Sequence, residues 1–290
     1  MSSRAIAVAS LLVILFATAE PALAEPLAYV RTSSQKDRAT SPPRYHALNL
    51  LDENPATVWC EDASGMGEKE EVRFYFKGRT RIDRIVITPA VASGRFIQEI
   101  RLSDETNNVR VELGESKVDQ MLSKPLIGTN ITLTIQKVGA ANKASTLGPE
   151  TTCLADVLLY ERNELFGGKL NAEKLRYDPM REKILGRWAG EPFGAPEKYL
   201  TFSLDGTWEW TYEGLIDQKK AKLVGEYRFR GDRLLMRRGE TGRWSDMRFV
   251  YKRIGVDPDE PGAPKQDYDL IALNDAIEDN VRGEYNNADF

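Results

Sequence analysis

Apolar side chains recur at every second position in short runs through most of the chain, and this alternation constrains the fold more than any other feature. Val72, Phe74 and Phe76 alternate with Glu71, Arg73 and Tyr75, and Ile85 and Ile87 with Arg84, Val86 and Thr88. Val109, Val111 and Leu113 follow, then Ile131, Leu133 and Ile135, then a closing run from Ala155 to Tyr160. Successive side chains of a strand point to opposite faces, so each run offers one face to a core and one to water. With Gly, Asn and Asp between the runs, residues 45–162 read as an antiparallel sandwich.

A second set begins at Ile184-Leu185-Gly186-Arg187-Trp188. Leu200, Phe202 and Leu204 share one face, Asp205-Gly206 turns the chain, and Trp208, Trp210 and Tyr212 share the next face. Asp-Gly between two alternating runs is a hairpin signal. Further runs around Leu223–Phe229, Leu234–Met236, Met247–Tyr251 and Tyr268–Leu273 make 184–273 a small up-and-down barrel. Around these lie an extended lead-in at 25–44, a charged linker at 163–183 interrupted by Pro179, and an acidic tail at 274–290, disordered or docked. The fold class is therefore all-β.

The first 24 residues read as a signal peptide: Arg4, an apolar run from Ala5 to Ala17, and the small-x-small site Ala22-Leu23-Ala24. The run is shorter than the roughly 20 residues that span a bilayer, and no later segment approaches that length. The expected location is periplasmic or secreted, without a transmembrane segment.

Lysine and arginine number 40 against 44 acids, a net charge of −4 that gives no ground for a nucleic-acid partner. His46 is the single histidine, which excludes a histidine-rich zinc site and confines any Ser-His-Asp triad to one position. No Gly-x-Ser-x-Gly elbow accompanies it, so His46 reads as an ordinary packing or surface residue. Glu61 and Asp62 are adjacent acids, which rarely point into one site. The chain is not expected to be an enzyme.

Cys60 and Cys153 are the only cysteines. An exported pair is expected to bridge, the alternative being two buried free thiols. Asp52, Asn54 and Thr57 place three oxygen ligands within six residues, as a hard cation such as calcium requires. The alternative is a turn capped by its own side chains.

Residues Tyr45–Trp59, with Asp52, Asn54, Thr57 and Trp59, then Gly65-Met66-Gly67-Glu68, and the closing Thr152-Cys153-Leu154-Ala155-Asp156-Val157 carry a resemblance. Over about 40–161 the chain resembles the discoidin-like sandwiches of coagulation factors and carbohydrate-binding modules, and most of all the glycan-binding variant attached to bacterial NAD glycohydrolase-type proteins. The resemblance implies a jelly-roll sandwich. It also implies a structural calcium held by the carbonyl of Asn49, by Asp52, Asn54 and Thr57, by the carbonyl of Ala155 and by the carboxylate of Asp156. It places Cys60 and Cys153 beside that ion, so that metal and disulfide fasten one seam. Ligand contacts are expected from Glu61 and from Arg95 in the Pro89–Phe96 loop, where the family's Asn-Gly-Tyr is replaced by Thr88-Pro89-Ala90. Trp59 reads as core.

The second half resembles a lipocalin-like barrel in its Gly-x-Trp opening, Leu-Thr-Phe, Asp-Gly-Thr-Trp, Gly-Glu-Tyr and Gly-Asp-x-Leu. Its Trp208, Trp210 and Tyr212 either line a cavity or fill the barrel. The expected protein is a non-enzymatic binder of a glycan or cell-envelope component; the alternative is an interaction module with a protein partner.

Overall fold

The computed structural model describes residues 27–37, 43–63, 65–141, 145, 147–166, 176–190, 198–214, 219–256, 266–273, 281 and 283–287. The expected signal peptide lies outside them. The first half contains β1 (Leu27–Thr32), β2 (Trp59–Cys60), β3 (Glu71–Pro89) and β4 (Arg95–Ser103). It continues with β5 (Asn108–Glu112), β6 (Val118–Ala141), β7 (Cys153–Glu161) and β8 (Glu164–Leu165).

Two long strands make this half a sandwich. The runs around Phe74 and Ile85, separate in the sequence reading, belong to the single strand β3. The first part of β3 pairs with β1 and with residues 130–134 of β6, and its last part pairs with β7 and with residues 118–121 of β6. Between these parts the ladder slips: Tyr75 faces Asn130 but Thr80 faces Gly128, so β3 carries extra residues at a large bulge. Bulges bend and twist a strand, which takes both strands from one layer to the other. The order β2-β7-β3-β6-β4-β5 therefore folds over a core of Phe74, Ile85, Ile100, Leu133, Val157 and their neighbours. Trp59 lies fully buried in that core, its indole N–H donating to the Ser34 carbonyl at 3.2 Å.

The lead-in boundary moves. Leu27–Thr32, placed before the sandwich by the sequence reading, is β1 and pairs with β3. Its alternation was too short to stand out, and all but one of its residues are buried.

A short helix, α1 (Pro179–Ile184), ends the linker, capped by the Asp178 carboxylate on Met180 N–H at 2.9 Å and with proline in its first turn. The second half follows with β9 (Gly186–Gly190), β10 (Lys198–Phe202), β11 (Thr207–Glu213), β12 (Lys220–Arg230) and β13 (Arg233–Arg238). Then come β14 (Ser245–Met247), β15 (Phe249–Val256), β16 (Gln266–Leu273) and β17 (Gly283–Asn287). All neighbours are antiparallel in the order β14-β13-β12-β11-β10-β9-β17-β16-β15. The two ends of that order, β14 and β15, are separated in sequence by Arg248 alone, so the sheet comes nearly full circle. β17 lies within the stretch read as an acidic tail and joins β16 to β9; its apolar anchor, Tyr285, is fully buried.

Aromatic side chains fill the barrel: Trp188, Trp208, Trp210, Phe202, Tyr227 and Tyr285 are all buried in one cluster. Most of their polar atoms reach nearby carbonyls, while Trp210 Nε1 is buried without a hydrogen-bond partner. Trp208 Nε1 reaches the Glu226 and Arg237 carbonyls, each at 3.1 Å, and the Tyr227 hydroxyl donates to the Ser203 carbonyl at 2.8 Å. Gly225 is required here, since a Cβ would lie 1.9 Å from the Arg237 carbonyl oxygen and 2.7 Å from the Trp208 ring.

Candidate functional site

The first residues of β7 form the spine to which one end of the sandwich is fastened. Cys153 pairs in register with Cys60 of β2, and the two form a disulfide with Cα atoms 4.1 Å apart. The expected bridge is present, because the fold brings two strands 93 residues apart side by side at that position.

One residue earlier, Thr152 holds two loops. Its N–H donates to Glu61 Oε1 at 3.1 Å and its hydroxyl to the Met66 carbonyl at 2.7 Å. The other Glu61 oxygen accepts the Ala63 N–H at 2.8 Å. Glu61 is only 3% exposed, and this burial raises its pKa although both backbone bonds pull it down. Gly67 makes room for it: the residue has φ of 82°, and a Cβ would lie 2.8 Å from Glu61 Cγ. The structure thus places Glu61 inside the seam with both oxygens engaged by the backbone.

Arg95 sits on the other side of the same residue, bridging Thr152 through its backbone. The preceding loop is pinned: Gly94 N–H donates to the Thr151 carbonyl at 2.7 Å, and Ser93 Oγ accepts the Cys153 N–H at 2.9 Å. The Arg95 guanidinium reaches the Gly139 carbonyl at 3.2 Å and Glu150 at 3.6 Å. Its Nε is buried and unpartnered. The Arg95 side chain is 21% exposed and that of Glu150 66% exposed, so the pair presents charge to solvent from a rigid base. Ser93 and Glu150 were not singled out from sequence, and Thr152 only as the start of the closing motif; their roles arise from pairing across more than fifty residues, which no local pattern announces.

The Asp52 turn lies beside this seam. Asp52 accepts the Asn54 N–H at 3.0 Å and the Thr57 hydroxyl at 2.7 Å, while Asn54 Oδ1 accepts the Ala56 N–H at 3.1 Å. The Asn49 side chain donates to the Val58 and Arg44 carbonyls at 2.7 and 3.0 Å. These are the bonds of a self-capped turn. Asp156 differs. It is 4% exposed, one of its carboxylate oxygens has no hydrogen-bond partner, and burial raises its pKa. A Thr88 hydrogen bond opposes that rise, whereas the charges of Asp52 and Glu53 add to it. An unpaired buried carboxylate oxygen under negative field suits a hard cation such as calcium. No group of three His, Cys, Asp or Glu side chains is arranged for a metal among the described residues. Asn49 and Ala155 would contribute backbone carbonyls.

His46 caps the short 3-10 turn Ala47–Leu51 by accepting the Leu48 N–H on Nδ1 at 3.0 Å, and its Nε2 meets Glu182 of α1 at 2.9 Å. The single histidine thus joins sandwich to helix. No helix among the described residues is long and apolar enough to cross a membrane.

No curated protein matches the chain. Among solved structures it is similar to arabinofuranosyltransferase AftD from Mycobacteria, at 16% identity and a TM-score of 0.38, over 48% of this chain and 11% of that one. The chain therefore spans about a tenth of that protein. It is similar to the family 32 carbohydrate-binding module of Clostridium perfringens NanJ in complex with galactose, at 14% identity and a TM-score of 0.35, over 47% and 99% of the two chains. It is also similar to chitosan-binding module 2 of a Paenibacillus sp. IK-5 chitosanase/glucanase, in complex with chitotriose, at 16% identity and a TM-score of 0.34, over 47% and 98%. Residues 25–157 match the family model described as the NAD glycohydrolase translocation F5/8 type C domain, and this stretch holds most of the sandwich built on β3 and β6.

Proposed function

We propose that this is an exported, non-enzymatic binding protein whose discoidin-like sandwich recognises a carbohydrate of the cell envelope. The observation that supports it most is the Arg95–Glu150 pair. A planar guanidinium and a carboxylate, both reaching solvent, suit adjacent sugar hydroxyls, which need a donor and an acceptor held at fixed separation. The disulfide, Ser93 and Thr152 fix the loop that carries them, so little conformational entropy is lost on binding. Glu61 serves that reading from beneath, as the buried strut of the loop. Export agrees with the disulfide, which persists in oxidising compartments.

A glycan array with the full chain tests this. We expect binding to a subset of neutral hexose or amino-sugar glycans, with Arg95→Ala weakening it about tenfold or more while the melting temperature stays within a few degrees. Silence across the array, with the protein folded, sinks the reading. The family description speaks of translocation, so capture of a protein partner in place of glycans supports the second reading, an interaction module.

We further propose that a structural calcium ion is held near Asp156, with Asp52, Asn54 and Thr57 and the carbonyls of Asn49 and Ala155 as its oxygen ligands. It would neutralise a buried carboxylate and tie the turn to β7. It carries no chemical step.

A further inference from the structure

The formal charge of −4 hides a strong segregation. Between residues 219 and 253, twelve lysines and arginines stand against four acids, a balance of +8 within a chain that is otherwise acidic. Strand alternation turns part of this charge outward on β12, where Lys222 is paired with Glu209. On β12, Gly225 and Tyr227 are buried, whereas Lys222, Arg228 and Arg230 are exposed. Arg230 stands directly opposite Arg233 of β13. Like charges in that position destabilise a ladder unless an anion compensates them. Asp246 compensates Arg233; Arg230 has no acidic partner among the described residues.

Beside this pair Trp244 lies beneath two guanidiniums, with Arg228 Cζ 4.2 Å and Arg237 Cζ 4.9 Å from its ring. Arg237 is also held by Glu226, whose carboxylate accepts its Nε at 3.0 Å. Arg228 is pinned by stacking alone, which leaves its donors outward and orders a side chain that would otherwise be mobile.

We infer that the outer face of β12 and β13 binds an anionic polysaccharide, one carrying carboxylates at regular intervals, through Arg228 and Arg230. Outward residues two apart on a strand are spaced about 6.6–6.8 Å, so the guanidiniums form a row suited to a linear polymer. Each presents a fork that matches a carboxylate with two parallel hydrogen bonds. The indole is occupied by arginines, so the patch has no open aromatic platform on which single-stranded bases would stack. It has no apolar wedge for a bilayer either, since Val224 is the one exposed large hydrophobic residue of the barrel among the described residues. This surface lies apart from Arg95 and does not depend on the sandwich's binding a glycan.

The test is affinity electrophoresis and calorimetry of the full chain against polygalacturonate, with neutral galactan, a 20-base oligonucleotide and phosphatidylglycerol vesicles alongside. Binding to polygalacturonate that weakens with salt is expected, with Arg228→Ala/Arg230→Ala about tenfold or more weaker and Arg95→Ala unchanged. Arg228→Lys/Arg230→Lys, which keeps the charge and loses the fork, is expected to recover only part of it. The inference is overturned if the wild type ignores polygalacturonate at low salt, if the lysine variant binds as tightly as the wild type, or if oligonucleotide or vesicles bind more tightly.

Discussion

Asp156 combines three conditions that rarely coexist: a carboxylate, near-complete burial, and an oxygen with no hydrogen-bond partner. Such a group takes up either a proton or a cation. Its raised pKa, shared by Glu61, means that the folded protein holds the proton more tightly than the unfolded chain does. Ionisation of these two acids therefore costs stability above their raised pKa values, and the cost is relieved as pH falls through them. A bound calcium reverses the need at Asp156. At a hundredfold excess over its dissociation constant it adds about 2.7 kcal/mol. We predict that millimolar calcium raises the melting temperature by several degrees over EDTA at pH 7, and that Asp156→Asn removes the increment. An identical melting curve with calcium and with EDTA disposes of the ion. The sequence showed Asp52, Asn54 and Thr57 because their spacing is local, whereas Asp156, far along the chain, came only through the resemblance. It offered a self-capped turn as the alternative, and the bonds from Asn54 and Thr57 to Asp52 are of that kind, made where Glu53 turns the chain with φ of 55°.

At the scale of elements, the disulfide matters because β2 is two residues long. Trp59 and Cys60 alone cannot hold a strand in a sheet; the bridge to Cys153 and the Glu61–Thr152 bonds do so. By the chain-entropy account, closing a loop of this length contributes about 4–5 kcal/mol. Replacing both cysteines by serine should lower the denaturation midpoint by that amount divided by the slope, and should loosen the Arg95 loop, which hangs from Cys153 through Ser93. Hydrogen exchange at Ser93–Arg95 reads the second effect; unchanged protection there shows that the loop stands without the bridge. The individual strands were legible because alternation at Val72–Phe76, Ile131–Ile135 and Trp208–Tyr212 is a local signal. That the Phe74 and Ile85 runs are one strand was not, because the bulge between Tyr75 and Thr80 interrupts the period and reads as a turn. β1 and β17 escaped for a related reason: each is short and gains its place only by pairing with distant partners.

In the whole molecule that same bulge connects the two halves. It delivers Lys77 to Asp205 and to the Thr207 hydroxyl at 2.5 Å, at the Asp-Gly hairpin of the barrel. Leu204 N–H donates to the Ala28 carbonyl at 2.7 Å, and the Leu204 and Leu185 side chains are buried in the sandwich core. Arg31 donates to the Leu185 carbonyl, and His46 meets Glu182. Two domains joined by buried leucines and a paired charge should unfold together. Burial pushes the Asp205 carboxyl up, but Lys77 and Thr207 more than offset this and hold its pKa below the usual value. Its contribution is present above the ordinary aspartate pKa and is lost as pH falls through the lowered one, below about pH 4. Calorimetry at pH 7 should show one transition. Lys77→Met leaves Asp205 with Thr207 but without its cation, at a cost on the order of 1–3 kcal/mol, and Leu204→Ser removes the apolar contact as well. The double variant should split the transition in two at pH 7, whereas the wild type should begin to split only once the pH falls below the ordinary aspartate range. A single transition in the double variant would show that the barrel and the sandwich are coupled through α1 and His46 instead.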